Sequence, residues 1–162
     1  MFQAISLAVI LLLTLIDRLT KHIAVSTVKI NGPKEFFFGL FQFRYVENTG
    51  AAFSSFSDNT EILTVVTVII IVFCLILLLS KKIKSKFVNV CLLLVTAGGI
   101  GNVIDRIVYG YVVDFIEPLF IDFAVFNFAD CCITVGAFLI IGFEIYELIC
   151  ERKNVKKNDG KN

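Results

Sequence analysis

Apolar residues run almost unbroken through four stretches of the chain, and the polar positions between them are clustered rather than periodic. A helix that crosses a bilayer needs about 20 mainly apolar residues, because hydrocarbon offers no partner to exposed backbone groups. On that measure the pattern predicts four spans, over about residues 2–25, 62–80, 87–104 and 127–150. The second holds no charge, the third stops at Asp105-Arg106, and the fourth carries Asp130 in its first turn. The first has no cationic region ahead of its apolar run and no small-x-small site before Asp17. It therefore reads as a span rather than a cleaved leader.

Between the first two spans the period changes. Residues 36–45 are dense in aromatics, and Phe41, Phe43 and Tyr45 alternate with Gln42 and Arg44. Period two with β-forming residues predicts a strand with one apolar face. Asn31-Gly32-Pro33 and Glu47-Asn48-Thr49-Gly50 read as flanking turns. A small sheet lying on the membrane surface is the natural reading; a hairpin that merely connects spans is the plainer one. Tyr111 to Phe126 alternates weakly and contains Pro118, which predicts strand and loop.

Composition agrees with a membrane protein. Of the 162 residues, 57% are hydrophobic and only 18% charged, against roughly a quarter charged in a soluble domain. The distribution of Lys and Arg supplies an orientation. Lys81, Lys82, Lys84 and Lys86 lie between spans two and three, and Arg152, Lys153, Lys156, Lys157 and Lys161 lie in the tail. These two short stretches hold nine of the fifteen basic residues and are separated by two spans, so both are expected in the cytoplasm. Both termini are then inside, and residues 26–60 and 106–126 face outward. Residues 1–150 form one membrane domain, followed by a flexible basic cytoplasmic tail over 151–162. The five cysteines show neither a CxxC motif nor zinc-ligand spacing and read as small packing residues.

The acids are the candidate chemistry, because charges at membrane depth are rare and mark function. Asp17 and Lys21 are spaced i, i+4 near the outer end of span one, the favourable order for a helical pair. Asn102 and Asp105 share a face where span three, rich in glycine, reaches the outer boundary. Asp114 stands alone in the apolar run Val112-Val113-Asp114-Phe115-Ile116, and Asp130 follows Phe126-Asn127-Phe128-Ala129. If Asp114 and Asp130 converge, their like charges force them to share a proton, which suits general acid–base hydrolysis. Asp130, at a helix N-terminus, is then expected to ionise first and Asp114 to hold the proton. Spacing alone leaves Asp105 as a rival member of such a pair.

Five ordered motifs carry a resemblance: Asp17-Arg18-Leu19-Thr20-Lys21; Glu47-Asn48-Thr49-Gly50-Ala51-Ala52-Phe53; Gly98 through Arg106; Val112 through Ile116; and Phe126 through Asp130. Over nearly the whole chain this arrangement resembles the bacterial lipoprotein signal peptidases (signal peptidase II). The resemblance implies catalytic aspartates at Asp114 and Asp130. It implies pocket-shaping or substrate-binding roles for Asp17, Lys21, Asn48, Gly50, Asn102, Asp105, Arg106, Asn127 and Ala129. The implied substrate is a diacylglyceryl-modified prolipoprotein, cut just before the lipidated cysteine, in the bacterial cytoplasmic membrane with the active site outward. It implies membrane lipids as partners, globomycin as inhibitor, no metal or organic cofactor, and no nucleic acid. Two positions depart from the family: Arg18, where Gln is common, and Cys131, where Ser is common. Cys131 does not suggest a cysteine protease, since the single histidine, His22, is on span one and reads as interfacial.

The rival from another class is a small proton- or ion-coupled transporter using the same acids. It would place acids nearer mid-span and often show internal repeats; spans two and three hold no charge and no repeat is visible. Glu144 and Glu147 are expected to pair with Arg152 or Lys153 and are given no role.

Overall fold

The computed structural model describes residues 2–50, 60–80 and 82–159, with side chains from residue 3 to residue 153 within those ranges. Lys81 and Lys161 of the orientation argument, and Ala51-Ala52-Phe53 of the second motif, lie outside the described residues.

Four helical segments are long and apolar enough to cross a membrane. The first is α1 (Phe2–Ile23), which runs on through a π-helical turn (Ala24–Val28) into α2 (Lys29–Asn31). It passes the end expected near residue 25 because the first strong helix breakers are Gly32, at φ 82°, and Pro33. Then come α3 (Thr60–Ser80), α4 (Lys86–Tyr109) and α5 (Phe128–Asp159). Residues 151–159, expected as a flexible tail, continue the α5 helix. Glu144 and Glu147 are exposed and, among the described residues, make no ion pair with Arg152 or Lys153.

α4 is the central helix: 67% of its most apolar window is buried, against 17–22% in the other three spans. The outward faces of α1, α3 and α5 expose Leu11, Leu15, Ile69, Phe73, Phe138 and Ile141, the surface that hydrocarbon requires. Glycines set the closeness of α4 and α5. A Cβ on Gly136 would lie 2.7 Å from the Cys91 carbonyl oxygen, and one on Gly98 would clash with the Ala129 carbonyl. This is small-residue packing of membrane helices. Cys74, Leu78, Leu92 and Leu93 fill the other end of the bundle.

Span three does not stop at Asp105-Arg106. α4 continues one further turn and is capped by Gly110 at φ 80°, whose N–H donates to the Arg106 carbonyl. A charge looked like a boundary because an unpaired carboxylate would have to leave the membrane. Asp105 is instead paired inside the fold and has no need to.

At the same end lies a three-stranded antiparallel sheet in the order β1-β2-β3: β1 (Lys34–Phe36), β2 (Phe41–Asn48) and β3 (Val112–Pro118). The aromatic stretch is thus a hairpin rather than one strand, turning at residues 37–40 with Phe37, Phe38 and Gly39 all at positive φ. Glu47 and Asn48, expected in a turn, are strand residues paired with Val113 and Val112. Lys29 ties the end of span one to β2 through an ion pair with Glu47 at 2.9 Å. Phe38 is 97% exposed, and Phe37, Leu40, Leu119 and Phe120 are exposed nearby. A sheet tip this apolar fits a position at the membrane surface.

Candidate active site

β3 is the buried strand of the sheet, and its alternation points Asp114 away from the neighbouring Val113 and Phe115. Asp130 enters from a different direction, in the first turn of α5. Both line one cavity of about 510 Å³, with Asn48, Gly50, Asn102 and Arg106 on its polar side and Phe123, Val125 and Ile133 among its apolar walls. Asp105, the rival acid, is not among the lining residues.

Asn127 joins the two acids. Its side-chain amide donates to Asp114 Oδ1 at 2.6 Å, and its backbone N–H donates to Asp130 Oδ2 at 3.1 Å. In return the Asp130 N–H donates to Asn127 Oδ1 at 3.0 Å, a reciprocal cap of the helix start. Asn48 Nδ2 donates to Asp114 Oδ2 at 2.8 Å, and Asn102 Nδ2 donates to Asp130 Oδ1 at 2.8 Å. Each carboxylate therefore accepts two hydrogen bonds and leaves further lone pairs for a visitor. Burial, together with the neighbouring Asp130 charge, pushes Asp114 up from 3.8 to about 7; the amides of Asn48 and Asn127 only partly oppose this.

Behind the cavity lies a buried charge cluster. Lys21, 1% exposed, makes 2.9 Å ion pairs with both Asp17 and Asp105 and donates to Asn102 Oδ1 at 2.9 Å. Asp105 also pairs with Arg18 and accepts from the Val113 N–H at 3.2 Å, which pins β3 one residue before Asp114. Asp17 accepts from the Ala129 N–H at 3.0 Å, one residue before Asp130. Thus Asp17, Lys21, Asp105 and the fully buried Ala129 do not face the cavity but hold both acid-bearing segments.

On the cavity side, the Gly50 N–H donates to Asn48 Oδ1, and the Gly50 carbonyl accepts from Arg106 Nη2 at 3.2 Å. Arg106 Nε is buried and has no hydrogen-bond partner among the described residues. Sequence reasoning missed the walls contributed by Phe123, Val125 and Ile133. Apolar residues in a loop and a span carry no mark that they line a cavity. It also missed that Arg18 reaches Asp105 and stacks over Tyr109 at 5.8 Å. Cys131 lines the cavity next to Asp130, and His22 is exposed on α1 away from it.

Comparison with known proteins agrees with this architecture. Residues 9–146 match the family model described as signal peptidase (SPase) II. A lipoprotein signal peptidase of Streptococcus thermophilus (strain CNRZ 1066) is 40% identical over 138 residues, covering 85% of this chain and 90% of the relative. One from Streptococcus pyogenes serotype M5 (strain Manfredo) is 38% identical over 132 residues, covering 82% and 87%. A bacterial membrane enzyme solved by the in meso method at 2.3 Å resolution superposes with TM-score 0.79 at 32% identity, covering 90% of each chain. A second such structure, at 1.9 Å, gives 0.71 at 33% identity over 85% of this chain and 90% of that one.

Proposed function

This chain belongs to the signal peptidase II family, and on that premise we propose that it is an aspartic endopeptidase. It removes signal peptides from diacylglyceryl-modified prolipoproteins, cutting before the lipidated cysteine. The observation that carries this reading is the pair Asp114 and Asp130, bridged by Asn127 at the wall of one cavity.

The chemistry follows from that pair. Asp130, at the N-terminus of α5, is the carboxylate and takes a proton from water. The resulting oxygen attacks the scissile carbonyl carbon while Asp114, the protonated partner, donates to the carbonyl oxygen. The tetrahedral diol then collapses: its hydroxyl proton returns to Asp114, the C–N bond breaks, and Asp130 delivers its proton to the leaving amine. Asn48, Asn102 and Asn127 hold the two carboxyls in register. No step requires a metal or an organic cofactor.

The substrate's signal helix and acyl chains suit lateral entry from lipid, past Phe123, Val125 and Ile133. The sheet end of the bundle faces outward and both termini face the cytoplasm, in keeping with the lysines at 82, 84 and 86 beyond the opposite end of α3. Globomycin is expected to compete for the same cavity.

Mass spectrometry of products formed in H₂¹⁸O tests the reaction. A single ¹⁸O in the new carboxylate of the signal peptide, with the diacylglyceryl group still on the cysteine-bearing product, is expected. Release of a fatty acid instead of a peptide would overturn the assignment.

A further inference from the structure

A second cavity, of about 650 Å³, lies beside the sheet and shares no lining residue with the first. Strand geometry explains the separation. Successive residues of β3 point to opposite faces, so Asp114 lines the first cavity and Phe115 the second. The second cavity is therefore on the other face of the sheet from the acids.

Its walls come from span one and the sheet. Thr20, Ile23, Ala24, Thr27 and Val28 form one side, with both threonine hydroxyls donating to carbonyls of their own helix, and Phe43 and Phe115, with ring centroids 6.4 Å apart, form the other. The π-helical turn over Ala24–Val28 shapes the helix wall, and such turns often accompany functional sites. At the mouth stand Asn31 and Lys34. Lys34 is exposed and, among the described residues, makes no ion pair. Ile23, one of its lining residues, is half-exposed on α1, as is Leu19 one turn earlier. Its volume lies in the roughly 300–1,000 Å³ range of sites that hold small molecules.

A mainly apolar groove on a membrane-spanning helix, with an exposed lysine among its lining residues, suits an amphipathic anion. We propose that this groove binds an anionic phospholipid of the bilayer, with an acyl chain against Phe43 and Phe115 and the phosphate at Lys34 and Asn31. The lipid is a resident of the face opposite the acids, distinct from the acyl chains of a substrate. It packs between span one and the strand whose next-door residue is Asp114. Its binding does not depend on which reaction the first cavity performs.

The chain contains no tryptophan, so Phe43→Trp places a sole reporter on the groove floor. In bilayers, brominated phosphatidylglycerol is expected to quench it at low mole fraction and saturably, and brominated phosphatidylcholine only weakly. Lys34→Gln, at an exposed position, is expected to weaken the phosphatidylglycerol effect about fivefold, the value of one lysine near an anionic lipid. Native mass spectrometry of the wild type and Lys34→Gln, counting retained phosphatidylglycerol, gives the same comparison without altering the groove. Equal, non-saturating quenching by both lipids, or unchanged retention in Lys34→Gln, would overturn the site. Displacement of the lipid by a diacylglyceryl peptide would overturn its assignment to a bilayer phospholipid.

Discussion

The buried ammonium of Lys21 donates to Oδ1 of Asn102 at 2.9 Å, and this contact decides which way the Asn102 amide points. With its oxygen held by Lys21, the amide must present Nδ2 to Asp130, which it does at 2.8 Å. A residue on span one thereby orients a donor to an acid on span four.

Lys21→Met tests that relationship. It leaves Asp17 and Asp105 buried without their shared cation, and breaking a buried pair costs about 3–5 kcal/mol. A thermal midpoint well below wild type is expected by circular dichroism in detergent, together with loss of turnover. An unchanged midpoint would mean that the cluster is not holding the helices together.

Arg18→Gln should behave differently. Arg18 is 27% exposed on its side chain, and Asp105 would keep both Lys21 and the Val113 N–H. The cation is partly exposed but Asp105 is fully buried, so losing one of its two pairs is expected to cost about 1–3 kcal/mol. Cleavage close to wild type is expected, with stability lowered by no more than that amount in chemical denaturation.

Two glycines separate close packing from plain helix propensity. A Cβ on Gly101 would collide with the Asp17 carboxylate and touch Ala129 Cβ at 3.4 Å, so Gly101→Ala is expected to cost about 1–3 kcal/mol and most of the activity. Gly142 has no such neighbour within 4 Å, and Gly142→Ala is expected to be neutral or stabilising by up to about 1 kcal/mol. Thermal unfolding of the two variants side by side reads the contrast.

The raised Asp114 makes a pH prediction of definite sign. Between pH 3.8 and about 7 the native state holds a proton that the unfolded state has lost, so this residue lowers stability as pH rises. The penalty is absent below that window and complete above it, at a few kcal/mol. Asp114→Asn, which imitates the protonated acid, should therefore be inactive yet melt above wild type at pH 8, with the gap closing near pH 4. In the wild type, kcat/KM should fall as pH rises through about 7. A wild-type rate that climbs steadily above neutrality would contradict Asp114 as the proton donor.

Much of this molecule was legible in the chain because hydrocarbon punishes ambiguity. The four spans follow from apolar run length, and β2 shows its period in Phe41, Phe43 and Tyr45. The acids stood out for the same reason. What stayed hidden depended on partners far apart in sequence. Asp105 looked like a span end until Arg18 and Lys21, more than 80 positions away, neutralised it inside α4. Glu47 and Asn48 looked like a turn until Val112 and Val113 paired with them. Phe37 and Phe38 gave no turn signal, since φ > 0 is ordinarily filled by Gly, Asn or Asp. The π-helical turn and the groove beside it have no sequence mark of their own.

Asp114 and Asp130 are proposed to cleave the peptide as a pair. The direct measurement is cleavage of a diacylglyceryl-modified prolipoprotein by wild type, Asp114→Asn, Asp130→Asn and Asp105→Asn, each purified in lipid and checked for folding, with and without globomycin. Globomycin-sensitive cleavage is expected from wild type, and none from the folded Asp114→Asn and Asp130→Asn variants. Turnover in either of those two, or a folded wild type that leaves the substrate intact, would contradict that proposal.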